Sequence, residues 1–130
     1  MKKAVIYARY SHSNDAQNQI QKQIKICQDY ADTHSIEIVG VYSDIGSALK
    51  KRFAFDLMLK EALKSDWDYI IVYTQDRLAK TIETLLNELQ SLADNNIEIV
   101  CIKENSKINL KDYIEAPFIT FGIRPPKKGD

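Results

Sequence analysis

The chain of 130 residues has the size of a single domain, and its 45% hydrophobic content is enough for a core that needs no disulfide bonds. Eighteen basic residues balance eighteen acidic ones, which argues against a domain that coats DNA through a large excess of positive charge. Cys27 and Cys101 lie inside apolar patterns, which predicts reduced, buried thiols in a cytoplasmic protein. Together with two histidines they are scattered along the chain without the spacing of a zinc site, and no segment is long and apolar enough to span a membrane.

Strands and helices alternate along the first hundred residues. Runs rich in β-branched and aromatic residues predict strands over 3–9, 36–42, 67–74 and 97–102. Apolar residues at helical spacing predict helices over 17–33 and 55–63, and a third helix from Leu78 to Leu92. This order, with short connections, predicts an α/β fold in three layers: a mainly parallel sheet of four to five strands with helices on both faces.

The alternating pattern ends after Glu104. Residues 105–112 are polar, residues 113–123 are apolar without a clear period, and Pro125 and Pro126 exclude regular structure because each lacks a backbone donor. We therefore predict one domain over residues 1–104, followed by an irregular tail over 105–130.

Polar side chains follow the predicted strands at the point where each strand ends. Arg9 and Ser11 come at the end of the first strand, and Asp76 and Arg77 follow the third. Each residue alone has an ordinary structural explanation, such as a loop serine, a helix cap or a surface ion pair. However, the carboxyl ends of parallel strands meet at the edge where α/β proteins bind ligands. A hydroxyl beside guanidinium groups at that edge predicts a nucleophile next to an anion clamp.

These residues resemble the motifs of the catalytic domain of serine recombinases, the family of resolvases, invertases and large serine integrases. Residues 7–11 (Tyr-Ala-Arg-Tyr-Ser) resemble the family's Tyr-x-Arg-x-Ser, with Ser11 in the place of the nucleophile. Gln23 lies in a helix similar to the one that bears the family's glutamine. Asp44 and Arg52 resemble the pair that flanks its second loop, and residues 76–80 resemble its Asp-Arg-Leu-Ser/Ala-Arg. The resemblance covers roughly residues 3–104.

The resemblance implies site-specific DNA recombination. Ser11 would attack a DNA phosphodiester, become joined to the 5′ phosphate and release a 3′ hydroxyl, which then attacks a partner's phosphoserine. Because the attacked phosphate gains negative charge, positioned cations lower the barrier, and the candidates are Arg9, Arg52 and Arg77. Asp44 and Asp76 would orient those guanidiniums or handle a proton. No acidic cluster suggests a two-metal site, so we expect chemistry without a metal or cofactor.

The chain also departs from the family's pattern. Lys80 stands where the family has an arginine, while Thr74, Gln75 and Phe53 replace a frequent lysine, a usual leucine and a frequent proline. Residues 116–123 resemble the opening of the long helix through which the family forms dimers and tetramers, and which leads to its DNA-binding domain. We interpret the tail as a truncated start of that helix.

Three functions therefore stay open. The first is an enzyme domain that performs DNA strand transfer once further parts complete it. The second is a catalytically silent remnant that acts as an interaction or regulatory module, which the departures around residues 74–80 favour. The third is an unrelated phosphate-binding α/β protein, which the lack of a glycine-rich phosphate loop disfavours.

We predict that the chain binds DNA weakly and without sequence preference. Its net charge is zero, and the sequence shows no helix-turn-helix or zinc module that could read bases. A fluorescence titration at physiological salt measures this binding. Nanomolar, sequence-selective affinity would contradict the prediction.

We predict no recombination by the chain alone, because the family joins its subunits through the long helix. In a chimera that continues from residue 122 into a complete long helix and DNA-binding domain, Lys80→Arg should raise the yield of DNA joined to Ser11. The reason is that loss of one positioned donor typically costs about a hundredfold in rate. Quantifying the covalent product on a denaturing gel checks this, and equal yields with lysine and arginine would show that the substitution is harmless.

Overall fold

The computed structural model describes residues 1–46, 52–79, 87 and 89–109. Five strands form one sheet in the order β2-β1-β3-β4-β5, in which the first four strands are parallel and β5 is antiparallel to β4. The elements in chain order are β1 (Lys2–Tyr10), α1 (Ala16–Thr33), β2 (Ile36–Ile45), α2 (Phe53–Ala62), β3 (Tyr69–Val72), β4 (Glu98–Cys101) and β5 (Ser106–Asn109), with 3-10 helices at Gln75–Arg77 and Gln90–Asn95. The predicted α/β fold with a mainly parallel sheet is confirmed.

Alternation along β1 divides the core into two layers. Val5 and Tyr7 face the side where α2 packs, whereas Ala4 and Ile6 face the side where α1 packs. All four side chains are inaccessible to solvent, as expected for a central strand covered on both faces. This double burial accounts for the continuous apolar run in the sequence of β1.

The two buried cysteines belong to opposite layers. Cys27 lies with the α1 layer and Cys101 with the α2 layer, and both thiols are free. Burial raises the pKa of each thiol to about 12, so both stay protonated near neutral pH. The prediction of reduced, buried cysteines is confirmed. No helix in the described part of the chain combines the length and apolar character required to cross a bilayer.

Two segments differ from their predicted form. Residues 106–109 form β5, although residues 105–112 were expected to be irregular, because pairing with β4 satisfies their backbone groups. Residues 90–95 form a 3-10 helix at the end of the predicted leucine-rich helix, and Asn96 then turns the chain with a φ of 57°. Leu78, Leu89 and Leu92 are buried in the α2 layer, as their spacing predicts. Ile82 and Leu85, like residues 110–130, lie outside the described residues.

A carboxylate from β2 caps the start of α2. Asp44 accepts hydrogen bonds from the backbone N–H groups of Ala54 and Phe55, each at 3.0 Å, and from the hydroxyl of Tyr7 at 2.7 Å. These amides have no partner within their own helix, and the negative charge is favoured by the dipole of the helix. Burial and the carboxylate of Asp44 together raise the pKa of Tyr7, which keeps its hydroxyl protonated as a donor.

We predict that Asp44→Ala lowers the free energy of unfolding by about 1–2 kcal/mol, the upper part of the range for loss of a helix cap. Asp44→Asn should have a smaller effect because its amide oxygen still accepts one hydrogen bond. Urea denaturation followed by circular dichroism measures both variants. Asp29→Asn is the matched control, since Asp29 forms an exposed pair with Lys25 and contributes little. Equal stability of Asp44→Ala and the control would contradict the capping role.

Candidate active site

The predicted site residues gather at the carboxyl edge of the sheet. Because β1 runs parallel to both β2 and β3, the residues that follow these three strands emerge at the same edge. Ser11 directly follows β1, Gly46 follows β2, and the 3-10 helix Gln75–Arg77 follows β3. Arg52 reaches the same place from the start of α2, where it donates to the carbonyl oxygen of Leu78 at 2.5 Å.

Arg9 is the central residue of this edge. It is only 9% exposed, and its guanidinium donates to the carbonyl oxygens of Gly46 at 2.6 Å, Asp76 at 2.7 Å and Arg77 at 3.1 Å. The side chain therefore ties the segments after β2 and β3 to the end of β1. Burial, followed by the positive charges of Arg77 and Arg52, lowers the pKa of Arg9. Because all three acceptors are neutral carbonyls, these hydrogen bonds leave the cation without a carboxylate partner.

Gln23 holds the backbone of Arg9 from the side of α1. Its amide nitrogen donates to the carbonyl of Arg9 at 2.9 Å, and its amide oxygen accepts from the Arg9 N–H at 3.2 Å. The side chain is 5% exposed, so it is a buried neighbour of the strand rather than a solvated helix residue. Its two hydrogen bonds therefore help to satisfy the buried backbone groups at the end of β1.

Arg77 lies across the end of β1 from the other side. Its Nη1 donates to the carbonyl of Arg9 at 3.0 Å, its Nε donates to the hydroxyl of Thr74 at 3.3 Å, and its Cζ is 5.8 Å from the centre of the Tyr10 ring. The side chain is 21% exposed. Arg52 is more deeply buried, and its guanidinium stacks 3.8 Å from the centre of the Phe55 ring.

Ser11 is the exposed hydroxyl of the edge. It lies two residues after the buried Arg9, and the structure gives its side chain no hydrogen bond to the described residues. The neighbouring His12 is also exposed and makes no hydrogen bond to Ser11 within the described part of the chain. Gly46 faces this segment with a φ of 139°, a conformation that favours glycine, and its N–H donates to the Tyr10 carbonyl at 2.8 Å.

The two candidate carboxylates differ in their surroundings. Across the residues that the structure describes, Asp44 hydrogen-bonds to Tyr7 and the start of α2 and to no guanidinium. Asp76 is 64% exposed, accepts a hydrogen bond from the Thr74 hydroxyl and lies 3.5 Å from the Nε of Arg77. Only Asp76 therefore sits where it can orient a guanidinium. Lys80 lies outside the described residues.

Two further residues support the site and were missed as functional candidates. Thr74, noted only as a departure from the family pattern, joins Asp76 to Arg77 through its hydroxyl. Glu104 accepts the backbone N–H of Gln75 with both carboxylate oxygens, at 3.2 and 3.3 Å. No local pattern marks Glu104, because its partner is 29 residues away in the sequence.

The fold of the chain resembles that of solved structures of serine recombinases. The catalytic domain of ISC1926 TnpA, an IS607-like serine recombinase, shares 25% identity and covers 77% of this chain and 69% of its own, with a TM-score of 0.69. The N-terminal catalytic domain of TP901-1 integrase shares 26% identity and covers 82% of this chain and 81% of its own, with a TM-score of 0.69. A serine recombinase from Sulfolobus solfataricus shares 27% identity and covers 88% and 77%, with a TM-score of 0.65. A search of curated protein sequences finds no match.

The family model called Resolvase, N terminal domain, matches residues 4–121, which is most of the chain. The matched range includes Ser11 and the three arginines of the sheet edge. The chain therefore belongs to the resolvase family and has the catalytic domain of site-specific serine recombinases.

Proposed function

We propose that this chain cleaves DNA through Ser11 and forms a covalent 5′-phosphoserine intermediate. The observation that carries the proposal is the exposed Ser11 hydroxyl, with no hydrogen bond to the described residues, at the edge where three arginines converge. The structural relatives include an integrase and several proteins named as serine recombinases, which supports DNA as the substrate.

The step is a transfer of a phosphoryl group from one oxygen to another. The Oγ of Ser11 forms a bond to phosphorus, and the bond between phosphorus and the 3′ oxygen breaks. The serine loses its proton and the 3′ oxygen gains one, so the products are a phosphoserine and a free 3′ hydroxyl. Reversal of the same step by a 3′ hydroxyl restores the serine and rejoins the strand.

The arginines supply the positive charge that this transition state needs. Arg9 and Arg52 are held by backbone carbonyls, so their charges are fixed in place before DNA arrives. Nη2 of Arg77 makes no hydrogen bond to any residue that the structure describes, which leaves it able to donate to a phosphate oxygen. Preorganised donors of this kind make the largest contribution to the rate enhancement of many enzymes whose transition states develop negative charge.

The same contacts weigh against the silent remnant that the sequence left open. A remnant has no need to keep a buried cation tied to two loops, yet Arg9 retains three guanidinium hydrogen bonds and the support of Gln23. The turn is also held at both departures, since the Thr74 hydroxyl contacts Asp76 and Arg77 and the backbone N–H of Gln75 donates to Glu104.

We predict that Ser11→Ala abolishes the covalent adduct, because no other residue then carries the attacking oxygen. The substrate is a pool of duplexes of randomised sequence that contain a 3′-bridging phosphorothiolate, whose sulfur leaves readily and rejoins poorly. Denaturing gels and mass spectrometry of the peptides measure the adduct and locate it. Ser13→Ala is the matched control, since Ser13 is an exposed serine of the same loop whose hydroxyl accepts a hydrogen bond from the Asp15 N–H.

The wild-type chain and Ser13→Ala should form the same adduct, located on Ser11. An adduct that persists in Ser11→Ala, or one that maps to another residue, would show that Ser11 is not the nucleophile.

A further inference from the structure

Thr74 occupies a buried junction between two candidate site residues. It leaves β3 in an extended conformation, is 7% exposed, and precedes the 3-10 helix Gln75–Arg77. Its hydroxyl donates to a carboxylate oxygen of Asp76 and accepts from the Nε of Arg77 at 3.3 Å. We propose that Thr74 is a positioning residue that orients the Arg77 guanidinium toward the DNA phosphate, an inference that rests on the proposed function of this site.

The direction of these hydrogen bonds explains why a hydroxyl is needed. A threonine hydroxyl has one proton to donate and two lone pairs with which to accept. The exposed carboxylate of Asp76 accepts the hydrogen bond that the hydroxyl donates. The Oγ1 of Thr74 therefore presents a lone pair to the Nε of Arg77. A valine has the same shape as threonine but can make neither bond, whereas a serine can make both.

Two hydrogen bonds fix the guanidinium of Arg77 in the structure. Nε is bound by Thr74 and Nη1 is bound by the carbonyl of Arg9 at 3.0 Å, so both anchors act on the same planar group. Two anchors define the orientation of the plane and therefore the direction of Nη2. Loss of the Thr74 hydroxyl leaves one hydrogen bond, from Nη1 to the Arg9 carbonyl, and the longer ion pair between Nε and Asp76 at 3.5 Å, so the guanidinium can turn about Nη1.

The backbone of the 3-10 helix is held independently of the Thr74 hydroxyl. Glu104 binds the N–H of Gln75, and Arg9 binds the carbonyls of Asp76 and Arg77. The N–H of Arg77 also donates to the carbonyl, not the side chain, of Thr74 at 3.1 Å. Removal of the hydroxyl should therefore release the Arg77 side chain while the turn stays in place.

The first measurement is the rate of covalent adduct formation on the phosphorothiolate duplexes at saturating DNA. Thr74→Val should lower this rate constant by about 10- to 100-fold, as misplacement of a catalytic group by 1 Å can do. Thr74→Ser should restore a rate close to that of the wild type, and DNA affinity should stay unchanged in both. Thr33→Val is the matched control, since the exposed Thr33 hydroxyl donates to the Asp29 carbonyl near the end of α1, away from the site.

The second measurement does not depend on activity. The Nε–H signal of Arg77 in ¹⁵N NMR spectra, assigned by its absence in Arg77→Lys, reports how firmly the guanidinium is held. Thr74→Val should speed the exchange of this proton with water, and Thr74→Ser should not. Urea denaturation verifies that each variant folds, and Thr74→Ala replaces Thr74→Val if the valine variant does not.

The outcomes separate this inference from the proposed function. Slower adduct formation together with faster Nε–H exchange in Thr74→Val, both restored by serine, supports the inference. An unchanged rate or an unchanged exchange in Thr74→Val overturns it. If the wild-type chain forms no adduct on Ser11, the proposed function fails, and the exchange measurement alone decides whether Thr74 positions Arg77.

Discussion

The site depends on one buried cation and the carbonyl groups that surround it. Burying a guanidinium costs several kcal/mol unless its donors are satisfied, and each hydrogen bond to a charged group returns about 1.5–3 kcal/mol. Arg9 meets this requirement with carbonyls that come from two different loops, after β2 and after β3. The stability of the buried charge therefore requires Gly46 and the turn after β3 to lie against the end of β1, next to Ser11.

The use of carbonyl oxygens as acceptors also determines the electrostatics of this edge of the sheet. Carboxylates would satisfy the arginines more strongly, but they would neutralise the charge that a phosphate must meet. Carbonyl oxygens orient the guanidinium of Arg9 without neutralising its charge. The acidic residues nearby are engaged differently: Asp44 faces the amides of α2, and the Thr74 hydroxyl lies between Asp76 and Arg77. The result is a group of three guanidiniums at one edge of the sheet in a chain whose formal net charge is zero.

The turn after β3 shows how a family site tolerates changed residues. Its sequence differs from the family pattern at Thr74 and Gln75, yet the chain is held by hydrogen bonds at both positions. Thr74 contributes its hydroxyl, and the N–H of Gln75 is bound by Glu104 from the turn between β4 and β5. The turn makes most of its hydrogen bonds through its own backbone carbonyl and N–H groups. These hydrogen bonds therefore do not depend on which side chains the turn has.

The sequence pattern alone determined the parallel sheet and its helices, because a continuous apolar run such as β1 and the helical spacing of apolar residues are local properties of the chain. The motif of residues 7–11 and the pair Asp76-Arg77 likewise identified the edge, since strand order places their ends together. Only the tertiary structure decided that Gln23 is buried against Arg9, that Asp44 caps α2 and that residues 106–109 form a strand. Each of these depends on a partner distant in sequence, whose backbone N–H and C=O groups come within hydrogen-bonding distance only once the fold is complete.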